Sequence, residues 1–200
     1  MFSVGAAFRL PFGVVSSEAP SAETSLVARV RQSDLGALAE VYDAHHLHVR
    51  RFALRLLGEE SAAEDLVQEV FVSLPGTLAR FRADSSLRTF LISVAVNRAR
   101  HHLRSAMRRR VMLERVAAVP QQCPEDPEGH LQRRQLAALL TRALDTLPQE
   151  QRVALVLCEI EERSSAEAAA IVGVPEGTIR TRIFHAKQKL RERLRQEPLP

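Results

Sequence analysis

Cysteine is scarce in this 200-residue sequence, with only Cys123 and Cys158. Two thiols make neither a disulfide framework nor a metal site, and they point toward a reducing compartment. Apolar runs are short. None approaches the roughly 20 residues needed to cross a bilayer, so direct membrane insertion is not expected. No stretch alternates polar and apolar residues as a half-buried strand would. There is no internal repeat, no glycine-rich phosphate loop and no nucleophile beside a base. These absences argue against a cofactor and a small-molecule substrate. The opening MFSVGAAFRLPFGVV lacks a basic start and is cut by Arg9 and Pro11, which makes it a poor signal peptide. Residues 1–22 read as a disordered N-terminal extension, and the chain is expected in the cytoplasm.

What the sequence has is arginine and helical periodicity. The formal net charge is only +4, yet the pI is about 9.8. Arginine suits bidentate phosphate and guanine contacts, although a basic balance alone would also fit a membrane surface. The most informative stretch is SSAEAAAIVGVPEGTIRTRIFHAKQKLRERL, residues 164–194. Ser164 and Glu167 have capping-box spacing. Gly173 suits a left-handed helix end and Pro175 can open the next helix. Ile179, Ile183, Ala186, Leu190 and Leu194 then share one apolar face, while basic residues occupy the rest. Such a pair fits a helix-turn-helix whose basic second helix enters the DNA major groove. It also fits an ordinary hairpin with a solvated basic face.

Earlier in the chain, residues 25–57 read as helical, with Asp34 as a cap and Gly58 as a stop. His45, His46 and His48 lie there. Adjacent helix positions do not face each other, and no partner sits at metal-site spacing, so a solvated or packed role is expected. Ser61 with Glu64 suggests another capping box, opening AAEDLVQEVFVSL. Asp65, Gln68 and Glu69 share its polar face. Pro75-Gly76 should break or shorten this helix. A basic helix follows, capped by Asp84 or Ser85 and running to about Met107. Phe81 and Phe90 suit either stacked single-strand bases or the core. VAAVPQQCPEDPEG, rich in proline and polar residues, reads as a linker. Residues 130–163 add two further helices, the second opened by Pro148, with Cys158 as a small core residue.

The expectation is an all-α chain of two small helical domains on a flexible linker. The linker would span at most roughly 60 Å, against about 70 Å for two turns of B-DNA. One basic surface suits duplex DNA and the other suits single strands.

In combination, AEDLVQEVF, FRADSSLRTFLISVAVNRAR, LDTLPQEQRVALVLCEIE and GVPEGTIRTRIFHAKQKLRERL resemble the extracytoplasmic-function (ECF) sigma factors. These are the small promoter-recognition subunits of bacterial RNA polymerase. The resemblance implies a sigma region 2-like helical bundle over residues 23–112, a linker over 113–130 and a sigma region 4-like helix-turn-helix over 131–195. A tail of 196–200 would follow. It implies that Asp65, Gln68 and Glu69 dock on the β′ clamp of core polymerase, with the β flap as a further contact. Arg82, Asp84, Ser85 and Ser86 would hold a flipped base of the -10 element. Arg88, Asn97, Arg98 and Arg100 would contact the flanking strand. Arg180, Thr181, Phe184 and His185 would read the -35 element, with Arg182 and Lys187 near phosphates. An anti-sigma factor, able to hold the protein at the membrane, is the implied regulator. Neither metal nor cofactor is implied.

The chain departs from the family pattern at Pro75 and Phe90, where tryptophan is usual. It also has small or polar residues at Arg163, Ser165 and Ala168, which suggest a looser hairpin. Two rivals remain at this stage. A stand-alone helix-turn-helix regulator would bind a two-fold symmetric operator without polymerase. A metal-dependent nuclease would use the histidines with Asp65 or Glu69.

Overall fold

The structure is a computed structural model and describes residues 22–81, 85–116 and 139–196, all of its described secondary structure being helical. The first half comprises α1 (Ala22–Arg31), α2 (Leu35–Leu57), α3 (Glu60–Val72), the single-turn α4 (Leu74–Thr77) and α5 (Leu87–Val116). The second half comprises α6, described over 139–145, then α7 (Gln149–Leu155), α8 (Ser165–Val172) and α9 (Glu176–Gln196).

Helix ends follow local chemistry. Asp34 accepts from the Ala37 amide at 3.1 Å and starts α2. Gly58 ends it at φ 69°, donating to the Leu54 carbonyl at 2.8 Å; that left-handed geometry is one only glycine adopts without strain. A Cβ there would also lie 2.6 Å from Thr141 Cγ2. The Ser61–Glu64 capping box does not form. Glu59 follows Gly58 in extended geometry and takes the N-cap position, and Ser61 Oγ donates to its carboxylate at 2.8 Å. The break near Pro75 falls at Ser73, and Pro75 sits in the first turn of α4, where its missing N–H costs nothing. α5 is capped by Ser86, whose Oγ accepts from the Thr89 amide at 3.2 Å. It continues to Val116, past the expected end and into the stretch read as linker; residues 117–138 lie outside the described part.

The Ser164–Glu167 box is present in both directions, with amide contacts of 3.2 and 2.9 Å. Gly173 closes α8 at φ 75°. α9 begins directly after Pro175, whose carbonyl accepts from Thr178 at 2.9 Å. After α7, Val156–Ile160 widens into a π turn, and Glu162 follows it at φ 55°.

The core of the first half is built from Val30, Val41, Phe52, Leu56, Leu66, Leu74, Leu87 and Leu91, all fully buried. Each such side chain contributes about 1.5–3 kcal/mol of transfer free energy. Phe81 is buried too, with its ring edge-on to half-buried Phe90 at 5.1 Å.

The two halves meet. α5 packs against α7 and α8, and α2 against the π turn. Val153, Val156, Leu157, Ala168, Ile171 and Ile179 belong to one apolar cluster continuous with the first half. A smaller cluster of Leu144, Leu147, Leu155 and Ala186 holds α9 to α6 and α7. Ala168 and Ala169 of α8 are buried at the contact, where short side chains let two helices approach closely. Arg55 bonds Glu161 across the halves at 2.6 Å, and that carboxylate is only 10% exposed. Arg152, 2% exposed, is paired with Asp145 at 2.5 Å.

Candidate nucleic-acid interface

Three polar surfaces stand on this frame. On α3 the residues facing the core include Ala62, Ala63, Leu66, Val67 and Val70. The opposite face leaves Asp65, Gln68 and Glu69 exposed, lining a shallow depression with Val72, His101 and His102. Glu69 is held from α5. Its Oε1 lies 3.0 Å from buried His102 Nε2, a close approach outside hydrogen-bond geometry, and its Oε2 lies 3.9 Å from Arg98.

The second surface surrounds the start of α5. Arg82 and Asp84 lie outside the described residues, as does the Arg100 side chain. Ser85 and Ser86 are exposed, but Ser86 is engaged in capping and also pairs with Thr89 Oγ1 at 3.0 Å. Glu23 of α1 accepts from the Leu87 amide at 2.5 Å. Arg88 is exposed and donates to His48 Nδ1 at 2.8 Å. Asn97 is exposed, and Arg98 is half-buried.

The third surface is α9. Ile179 and Ala186 are fully buried, while Ile183 and Leu190 are half-buried. Leu194 has left the core at 38% exposure. Arg180, Thr181, Phe184 and His185 are exposed. Arg180 pairs with Glu176 at 2.5 Å, and Thr181 Oγ1 donates to the Gly177 carbonyl at 2.9 Å. Phe184 is 66% exposed, with its ring 5.5 Å from His185. A phenyl ring that exposed contributes little to the fold and is available to a ligand. Arg182 turns toward the body, lining a cleft with Asn97, Val153 and Val174. Lys187 pairs with Glu159 at 2.8 Å.

Comparison with known proteins gives the family. Family models for Sigma-70 region 2 and Sigma-70 region 4 match residues 41–109 and 137–190. The ECF sigma factor SigE of Mycolicibacterium smegmatis is 34% identical over 189 residues, covering 90% of this chain and 70% of its own. The chain belongs to the ECF RNA polymerase sigma factors. As a sigma factor it directs transcription initiation from a specific promoter class. The sigma-E factor of Escherichia coli K12 is 31% identical, covering 82% of this chain and 90% of its own. CnrH, solved with the cytosolic domain of CnrY, has the same fold at TM-score 0.60 and 23% identity, over 89% of this chain and all of that one. The sigma factor RpoE of Bartonella quintana, solved with the anti-sigma factor NepR, matches at TM-score 0.52 and 26% identity. That match covers 80% of this sigma factor and 98% of RpoE.

Sequence reasoning missed two supporting residues. His102 lies four residues after Arg98, hence on the same face of α5, and that spacing was a signal for a shared partner. His48 gave no signal, because its partner Arg88 is 40 residues away. Among the described residues no cluster of histidine, cysteine and carboxylate could hold a metal ion. His45 and His48 are both held below the ordinary imidazole pKa, first by burial. Burial also raises the Cys158 thiol, with Glu159 adding to it, so Cys158 behaves as a packed thiol.

Proposed function

We propose that Asp65, Gln68 and Glu69 dock this sigma factor on the β′ clamp of core polymerase, with its second half reaching the β flap. Ser85, Ser86, Arg88, Asn97, Arg98 and Arg100, with Arg82 and Asp84, engage the opened -10 strand. Arg180, Thr181, Phe184 and His185 read the -35 duplex, and Arg182 and Lys187 lie near its phosphates. Base contacts specify sequence and phosphate contacts position the protein. The sigma factor performs no chemistry of its own; polymerase does. It acts in the cytoplasm, and an anti-sigma factor regulates it, as NepR binds RpoE.

The observation that carries this reading is the pairing of exposure with rigidity. Asp65, Gln68 and Glu69 are exposed on a helix whose other face is buried, and so are Arg180, Thr181, Phe184 and His185. A rigid element holding a polar face outward is what a specific interface needs. The test is run-off transcription by purified bacterial core polymerase on a promoter library, with and without this protein. Transcripts from templates sharing -35 and -10 sequences are expected. Failure of every template, together with a duplex shift by the protein alone, would favour a stand-alone regulator.

A further inference from the structure

His48 and Arg88 form a pair unlike most arginine contacts in this molecule. Arg29, Arg50, Arg55, Arg152 and Arg180 are each bonded to a carboxylate, which cancels their charge. Arg88 instead donates to an imidazole nitrogen at 2.8 Å. A guanidinium has no acceptor, so Nδ1 must carry the lone pair and the ring proton must sit on Nε2. His48 Nε2 is buried without a hydrogen-bond partner. A buried N–H left unpaired is costly and needs an explanation. The other tautomer would lose the bond to Arg88 and leave Nε2 an equally unpartnered acceptor, so the contact with Arg88 selects the form with the proton on Nε2.

We propose that His48 is a positioning residue for promoter opening: its neutral imidazole orients the Arg88 guanidinium toward a phosphate of the opened strand without cancelling its charge. This rests on the assignment of Arg88 to the -10 strand. A carboxylate in the same place would orient the guanidinium but compete with phosphate for it. A neutral acceptor fixes the side chain and leaves its full charge for the ligand, which lowers the ordering cost of binding.

The groups facing His48 agree. Arg88 and Arg163 disfavour a second proton on the ring, as does His45, while Glu161 favours one. Burial is the largest influence and also opposes protonation. The ring therefore stays an acceptor at neutral pH. In acid it becomes a cation, loses its lone pair and repels Arg88.

The test is open-complex formation by holoenzyme, followed with a fluorescent base analogue in the -10 element. Core affinity and thermal unfolding are measured on the same proteins. Four are compared: wild type, His48→Leu, His48→Asn and Arg88→Ala. Asparagine places an acceptor oxygen near the position of Nδ1 and does not titrate. His48→Leu should weaken open-complex formation by about two- to tenfold, the range of one hydrogen bond, with core affinity unchanged. His48→Asn should recover most of that loss. Lowering the pH from about 7.5 to below the ordinary imidazole range, because burial holds the His48 pKa down, should weaken wild type relative to His48→Asn. A folded His48→Leu protein that opens promoters as wild type does, while Arg88→Ala does not, overturns the proposal alone. So does a wild-type to His48→Asn ratio that stays flat with pH, which also decides the matter if His48→Leu fails to fold. An Arg88→Ala protein that opens promoters normally overturns the -10 assignment of Arg88, and the role of His48 with it.

Discussion

Arg180→Ala separates recognition from stability. Arg180 is 68% exposed and its carboxylate partner Glu176 is one turn earlier on the same helix. Exposed pairs at this spacing contribute about 0.3–0.5 kcal/mol. Alanine also has the higher helix propensity. The two effects nearly cancel, so stability to unfolding should hold within about 0.5 kcal/mol. Loss of a base contact instead costs about 1–3 kcal/mol at one promoter position. At about 1.4 kcal/mol per decade that is roughly 5- to 150-fold. The assay is run-off transcription on templates carrying every single substitution across the -35 element. The variant should lose preference at one base pair and keep it elsewhere. An equal loss on all templates would make Arg180 a phosphate contact. No loss on any template would refute its placement at the duplex.

Other perturbations reach other parts of the molecule. Asp65→Ala combined with Gln68→Ala should weaken capture of core polymerase while circular dichroism and unfolding stay unchanged, since both side chains are exposed. Asp145→Ala removes a carboxylate that pairs with buried Arg152 and should lower stability in urea unfolding, since breaking a buried pair is destabilising. Gly58→Ala should destabilise by more than about 1 kcal/mol, because the left-handed backbone strains any L side chain and Thr141 must also move. Acidification should lower stability. His45 and His48 have folded pKa values below the unfolded one, so the unfolded chain binds protons first as pH falls from about 7 toward about 5. Their stabilisation is complete above the unfolded value and lost as pH falls below it, and His48→Asn should flatten the slope.

Local chemistry was the legible part of this fold. Asp34, Gly58, Ser164, Glu167 and Gly173 each act within a turn or so of themselves, so their spacing is sufficient to read them. The Ser61–Glu64 box failed because two starts competed, and the sharp turn at Gly58 handed the N-cap to Glu59. The capping role of Ser86 was not legible, because Asp84 and Ser85 offer the same chemistry two and one residues earlier, and the structure puts the cap at Ser86 Oγ. The π turn at Val156–Ile160 leaves the apolar pattern of a helix intact, so periodicity could not reveal it. Apolar stripes say that a face is buried and not what buries it. The contact of α5 with α8 was therefore invisible, as were the distant partners of Glu69, Arg88 and Glu161. The exposure of Phe184 was legible, because it lies off the stripe set by Ile179 and Ile183.

The contact between halves has a thermodynamic consequence. Asn97 and Arg182 line one cleft, whereas promoter elements one or two turns of duplex apart need their readers separated by tens of ångströms. Reading both elements at once under the proposed assignments therefore requires a second, open state, against the apolar burial that holds the halves together here. A partner that binds only the open state must supply the free energy of parting α5 from α8. A partner that clasps the closed state gains from the same term. Weakening the contact, for example by Glu161→Gln, should raise apparent affinity for the first kind of partner and lower it for the second. On the proposed assignments, the contact between the halves then weighs one kind of partner against the other.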